Sequence, residues 1–222
     1  MEATLPERDM MAPVVLKETA LTRALHTTMR DKTSSRHDFV TSSNRVVRLL
    51  IEEALALLPA KTKTVETPCG PYDGVELPEE SSIVAVSILR AADCMLGEVR
   101  NMMPAVAVGK ILIQRNEETA EPVLMYSKLP PSLVDRPILL LDPMLATGGS
   151  AVTAVDVLLG KGAKAQNIIF VNIVAVRDGI AKLATAHPEV QVVTSAIDPI
   201  LNEKKYIVPG LGDFGDRYFG TD

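Results

Sequence analysis

Apolar residues along this chain come in two rhythms. Short unbroken runs of branched residues, at 82–89, 105–114, 138–141, 167–176 and 190–196, lack polar alternation and read as strands buried on both faces. Between them lie segments with apolar positions three and four apart, at 16–29, 38–58, 95–103, 150–159 and 177–187. These read as helices with one face inward. On the helix over 38–58 that face carries Val40, Val47, Leu50, Ala54 and Leu57, and Pro59 closes it. The alternation predicts an α/β fold: a mostly parallel central sheet flanked by helices. Residues 61–77 alternate β-branched and polar positions around Pro68-Cys69-Gly70-Pro71-Tyr72-Asp73-Gly74, a hairpin pattern. The strand over 105–114, the polar loop 116–122 and a second strand over 123–129 predict a protruding β-arm at 105–130. Residues 1–15 have little periodicity and read as a loose N-terminal arm.

Composition narrows the picture. A length of 222 residues with 47% hydrophobic content suits a single domain spanning 1–222. Lys and Arg number 23 against 28 Asp and Glu, a formal net charge of −5, which disfavours non-specific binding of nucleic acid. Any phosphate site must then be built locally, from a few arginines and backbone amides. Cys69 and Cys94 lie far apart, and His26, His37 and His187 show no ligand spacing, so no disulfide framework and no metal-ligand set is read. No apolar run has the length of a bilayer span and no signal core opens the chain, so the expected setting is cytoplasmic, away from membranes.

The densest chemistry lies at 138–150. Ile138-Leu139-Leu140-Leu141 runs into Asp142-Pro143-Met144-Leu145-Ala146, then Thr147-Gly148-Gly149-Ser150 opens a helix. In an open α/β sheet such a loop falls at the carboxyl ends of the strands, where ligands bind. Gly148 and Gly149 allow amides and the helix dipole to converge on a phosphate. Asp142 would accept from ribose hydroxyls of a phosphorylated sugar. No lysine follows the glycines, so this is not a Walker A loop, and Gly-x-Gly-x-x-Gly is absent. A plainer reading, a strand–turn–helix corner capped by Ser or Thr, fits the same residues. Arg90 and Arg115 follow two other strands at the same sheet edge; the plainer reading pairs each with a surface acid.

Residues 206–221 hold a second informative stretch, with Gly210, Gly212, Gly215 and Gly220 among Asp213, Asp216, Phe214, Tyr218 and Phe219. This does not suit a regular element, and Ile207, Leu211, Phe214 and Phe219 call for burial. It reads as an ordered loop whose backbone faces something small and flat. A base such as uracil fits: its carbonyls need donors and its N3 hydrogen an acceptor, whereas cytosine would leave buried groups unpaired. A turn-rich tail packed over the core is the plainer reading.

The segment Leu141-Asp142-Pro143-Met144-Leu145-Ala146-Thr147-Gly148-Gly149-Ser150 resembles the loop that binds 5-phosphoribosyl-1-pyrophosphate (PRPP) in type I phosphoribosyltransferases. Its Asp-Pro form is similar to the uracil phosphoribosyltransferase branch. Ser87-Ile88-Leu89-Arg90-Ala91 and Gln114-Arg115-Asn116-Glu117-Glu118-Thr119 match two further motifs of that family. The stretch 209–221 is similar to its uracil loop, with Phe214, Tyr218 and Phe219 as in eukaryotic members. The resemblance runs from about Leu21 to the end and implies the type I fold, with a C-terminal base-binding hood at 200–222. It also implies the salvage reaction of uracil with PRPP to UMP and diphosphate. Arg90, Asp142 and Asp213 would be catalytic. PRPP would be held by Arg90, Arg115, Asp142, Pro143, Met144, Leu145, Ala146, Thr147, Gly148, Gly149, Ser150 and Asp213, with Mg²⁺ carried on it. Uracil would be held by Ile207, Gly212, Asp213 and Phe214. Eukaryotic relatives further imply a GTP effector and a homodimer or homotetramer. One departure stands out: the family's Arg-Ala-Gly is here Arg90-Ala91-Ala92-Asp93. It supports an alternative, a non-catalytic regulatory protein that senses PRPP or UMP.

Overall fold

The computed structural model describes residues 12–115 and 122–221, with the side chain of Arg115 outside that description. In chain order the elements are β1 (Val14–Val15), α1 (Ala20–Arg30), α2 (Arg36–Leu55), β2 (Lys61–Thr67), β3 (Gly70–Glu76), β4 (Val84–Leu89), α3 (Asp93–Met102), β5 (Ala107–Arg115) and β6 (Pro122–Lys128). There follow β7 (Ile138–Leu141), β8 (Met144–Leu145), α4 (Gly149–Leu159), β9 (Ile168–Val176), α5 (Arg177–Ala186), β10 (Gln191–Asp198), β11 (Ile200–Leu201), β12 (Ile207–Val208) and α6 (Phe214–Phe219).

An eight-stranded sheet has the order β1-β10-β9-β7-β4-β5-β6, with β8 beside β9. Its pairings are parallel except for β5 with β6. Both faces of the central strands are covered, so β7 is wholly apolar and β4 and β9 each carry a single polar residue, Ser87 and Asn172. Along β7, Leu139 and Leu141 face one core with α1, α2 and α3, while Ile138 and Leu140 face a second core with α4 and α5. All four are fully buried. The carboxyl ends of β4, β7 and β10 therefore deliver Arg90, Asp142 and Asp198 to a single edge of the sheet.

Local chemistry sets the helix starts. Thr19 and Thr22 form a capping box ahead of α1, and Ser35 accepts from the Asp38 amide to start α2 two residues before the expected position. The inward face of α2 runs through Phe39, Ser43, Val46, Val47, Leu50, Ile51 and Ala54, so Phe39 takes the core position expected for Val40, which is half-buried. Leu58, just past the helix, is buried where Leu57 was expected. The hairpin turn is tighter than its sequence suggests, with Gly70 paired to Thr67, Pro71 paired to Glu66, and Gly74 well inside β3. Of the expected arm at 1–15, residues 1–11 lie outside the described residues, and Val14–Val15 add a parallel edge strand to β10. Of the arm at 105–130, 116–121 lie outside, while β5 and β6 form an antiparallel pair that closes the sheet. The segment expected to hold no regular element contains α6, six residues long and capped by Asp213. Among the described residues, no helix is long and apolar enough to cross a membrane.

Candidate active site

The strand that delivers Asp142 does not end there. The Asp142 amide donates to the Val171 carbonyl at 3.2 Å, and the Pro143 carbonyl accepts from the Ile173 and Val174 amides. Pairing with β9 then resumes at Met144 and Leu145 in unchanged register. The Met144 amide donates to Asp142 Oδ1 at 3.3 Å, which turns the carboxylate back over its own loop.

Beyond β8 the chain enters α4 through Gly148, whose φ of +77° favours glycine. No side chain caps this helix, so the corner capped by Ser or Thr is not what forms here. The first amides of α4 are left by helical geometry without intrahelical acceptors and lie at the positive end of the dipole. The loop is seated from behind by Gly179 of α5: a Cβ there would stand 2.4 Å from the Ala146 carbonyl oxygen. A Cβ on Gly148 would in turn stand 2.7 Å from the Gly179 carbonyl oxygen. Gly179 escaped the sequence reading, because nothing local distinguishes it from any helix glycine. From the front, Pro122 at the base of β6 lies 3.4 Å from the Cβ position of Gly149.

The C-terminal stretch faces this loop. The short ladder of β11 with β12 and the cis peptide Val208–Pro209 lead to Gly210, Gly212 and the start of α6. Asp213 caps α6 by accepting from the Asp216 amide at 3.0 Å. The Phe214 ring points into the core, 5.3 Å from the Phe39 ring and 5.8 Å from Tyr218, so it offers the site its backbone and not its face. Together the two halves enclose a cavity of about 410 Å³, lined by Asp142, Met144 to Ala151, Ile207, Gly212, Asp213, Phe214 and Gly215, with Ala91, Lys204, Lys205 and Tyr206 completing the wall. Its size suits a small organic ligand.

Sequence comparison adds what geometry leaves open. A family model described as uracil phosphoribosyltransferase matches residues 15–221. The chain belongs to the uracil phosphoribosyltransferase family. Over those residues it is a pentosyltransferase by family. The Dictyostelium discoideum uracil phosphoribosyltransferase is 50% identical over 210 residues, 94% of this chain and 96% of that one. The Saccharomyces cerevisiae protein of the same name is 47% identical over 206 residues, 92% and 94% of the two chains. A solved structure of an Aquifex aeolicus protein, 33% identical, aligns with a TM-score of 0.81 over 94% of this chain and 99% of that one. A Trypanosoma brucei adenine phosphoribosyltransferase, 12% identical with a TM-score of 0.58 over 86% of this chain and 85% of its own, shares the fold alone. The regulatory alternative draws no support from the Dictyostelium and Saccharomyces relatives, both named as uracil phosphoribosyltransferases.

Of the residues the family resemblance singles out, Asp142, Met144 to Ser150, Ile207, Gly212, Asp213 and Phe214 line the one cavity. Pro143 is turned toward β9 by its carbonyl bonds. Arg90 stands beside the cavity and not in its wall: its guanidinium donates to Asp216 Oδ1 at 2.6 Å and to Thr221 Oγ1 at 2.8 Å, and passes 5.9 Å from the Phe219 ring. The pairing of a strand-end arginine with an acid thus does occur here, and the acid belongs to the hood. The Thr221 hydroxyl and then the Arg90 guanidinium hold the Asp216 carboxyl below the usual carboxylate range. Arg115 ends β5, and Asn116 to Thr119 of its motif lie outside the described residues.

The Ala92-Asp93 departure is accommodated locally. Ala92 sits at φ −72°, a conformation open to any residue, and is fully buried. The Asp93 carboxylate accepts from Ser87 Oγ at 3.1 Å and from Lys110 Nζ at 3.0 Å, so its charge is met by β5. Lys204 and Lys205 were missed by the sequence reading; two adjacent lysines inside the expected hood of an acidic chain were the available signal. Among the described residues no group of three or more His, Cys, Asp or Glu could hold a metal ion. Magnesium needs no such group, since one or two carboxylates plus substrate phosphates suffice for it. Asp142 and Asp213, the two carboxylates in the cavity wall, fit that pattern.

Proposed function

We propose that this chain transfers the 5-phosphoribosyl group of PRPP to N1 of uracil, giving UMP and diphosphate, within the cavity between the α4 loop and the C-terminal hood. The observation that carries the reading is the joining of two unlike half-sites in one cavity: an uncapped helix N-terminus behind Gly148, and a backbone-lined glycine loop at Gly212. The first suits a phosphate and the second a flat base.

In this reading the amides of Thr147 to Ser150 hold the 5-phosphate, and Asp142 accepts from the ribose hydroxyls. Backbone groups of Ile207, Gly212 and Phe214 orient uracil so that N1 faces C1 of the ribose. The N1–C1 bond forms as the bond from C1 to the diphosphate oxygen breaks, and the N1 proton is lost. Positive charge builds on the ribosyl ring and negative charge on the leaving diphosphate. Arg90 and Arg115 stabilise the latter. Asp142 and Asp213 would hold magnesium carried on PRPP, which would add to the neutralisation of that charge. Asp213, the carboxylate inside the base loop, assists loss of the N1 proton.

A GTP effector, a homodimer or homotetramer, and a cytoplasmic setting belong to the same proposal. The family resemblance carries the effector and the setting, and exposed apolar side chains on β6 (Met125, Tyr126) and the β2–β3 hairpin (Tyr72, Val75) support the oligomer. The test is a base-specificity assay on the purified chain with PRPP and Mg²⁺, with and without GTP. UMP should form from uracil, and no CMP from cytosine. Absence of UMP under all conditions would overturn the reading.

A further inference from the structure

Asp198 ends β10 with its side chain only 7% exposed. It receives both terminal nitrogens of Arg30, at 2.7 and 2.8 Å. It also receives the backbone amide of Gly210 at 2.9 Å. Arg30 returns to the same residue, donating to the Gly210 carbonyl at 2.9 Å. Both backbone groups of Gly210 are thus held by one ion pair from α1 and β10. The next carbonyl, that of Leu211, accepts from Arg217 at 2.6 Å. Arg217 is itself pinned to the Met29 and Asp31 carbonyls and lies 4.2 Å from the Phe39 ring.

These bonds fall on a segment that would otherwise be mobile. Gly210 and Gly212 have φ of +58° and +84°, and glycine backbone has the most freedom to lose. Only Leu211 separates Gly210 from Gly212, whose backbone lines the cavity. Charge-assisted bonds are roughly twice as strong as neutral ones, and besides joining α1 to β10 the pair directs one such bond from each partner onto the Gly210 backbone.

We infer that Arg30 and Asp198 are positioning residues for base recognition: the pair fixes the Gly210 peptide so that Gly212 to Phe214 present their backbone groups to the base in a single arrangement. The inference rests on the proposed reading of Ile207, Gly212, Asp213 and Phe214 as the base site. It assigns no contact with PRPP to either residue. Disturbing the pair therefore acts on uracil use and leaves PRPP use in place.

The experiment compares steady-state kinetics of wild type, Asp198→Asn, Arg30→Lys and Gly212→Ala, each with uracil and PRPP varied in turn. Asp198→Asn keeps shape but loses the carboxylate, while Arg30→Lys keeps charge but cannot hold both Asp198 oxygens and the Gly210 carbonyl together. Both should raise KM for uracil about tenfold or more, with KM for PRPP changed by less than about twofold. Gly212→Ala separates the two levels of the argument. If it leaves KM for uracil unchanged, the base-site reading itself is wrong. If it raises that KM while Asp198→Asn and Arg30→Lys do not, the base site stands and the positioning role is overturned. Equal loss for both substrates, or failure of both clamp variants to fold, marks the pair as a general structural bridge and likewise overturns it.

Discussion

Replacing Gly179 by alanine tests how the phosphate loop is seated. Gly179 lies in the first turn of α5, and a Cβ there would meet the Ala146 and Leu145 carbonyl oxygens at 2.4 and 2.8 Å. Ordinary contact begins near 3.4 Å, so about 1 Å of separation must be created. Both obstructing atoms are backbone, and no rotamer change relieves them. Either the loop at Leu145–Ala146 moves or α5 does. Overpacking of this kind costs about 1–3 kcal/mol, which lowers the thermal midpoint of a chain this size by about 2–12 °C. A displacement of about 1 Å in groups that position a reacting substrate costs about 10²-fold in rate. The assay is UMP formation with PRPP varied at saturating uracil, beside calorimetric melting. Gly97→Ala serves as control, because a Cβ on that exposed glycine of α3 meets nothing within 4 Å. It should keep full activity and gain up to about 1 kcal/mol of stability. If Gly179→Ala keeps wild-type kcat/KM for PRPP, the loop is not held by this contact and the account of its seating is wrong.

Other consequences follow from the same geometry. Asp142→Asn removes the carboxylate proposed to hold the ribose, and should lower kcat about 10²-fold with an unchanged melting curve; unchanged turnover would remove Asp142 from the site. Asp216→Asn takes the charged partner from Arg90 and should raise KM for PRPP while sparing KM for uracil, as read in initial rates. Because the Asp216 carboxyl is held below its ordinary range, the Arg90 contact persists from neutral into mildly acidic pH. It is lost only as pH falls below the usual carboxylate range, which a pH series of KM for PRPP would follow. Burial first, and then Arg30, hold His26 below its ordinary value of 6.5. The unfolded chain then takes up a proton before the folded one, so this group's stabilisation is present above pH 6.5 and declines as pH falls below it. Denaturant melts at about pH 7.5 and about pH 5.5 should show a smaller drop in His26→Gln than in wild type; an equal drop would exclude His26 as the source.

The parallel strands were legible because burial on both faces leaves an uninterrupted apolar run, as in Ile138 to Leu141. Asp142 was legible for a related reason: the first polar residue after such a run lands at the ligand edge of the sheet. Gly148 could be read as permissive, but the absence of a side-chain cap on α4 is a fact of its entry angle. The short α6 was not legible. Its six residues include Gly215 and three aromatics, and it exists because Asp213 caps it and Phe214 packs on Phe39 and Tyr218. Gly179 gave no signal, since its reason is a carbonyl 33 positions earlier, at Ala146. Arg30, Asp198 and Gly210 are brought together by the closing of α1 onto the end of β10, and Arg30 and Asp198 lie 168 positions apart. Periodicity finds faces and edges; it does not find partners across the fold.

The central claim is that one cavity holds the phosphate at the α4 loop and the base at the C-terminal hood. A crystal structure of the chain with bound UMP tests it most directly. The account predicts phosphate oxygens within hydrogen-bond distance of the amides of Thr147 to Ser150, ribose hydroxyls at Asp142, and the uracil ring against the backbone of Gly212 to Phe214. A phosphate seated away from the α4 loop, or a base bound outside the hood, would contradict it.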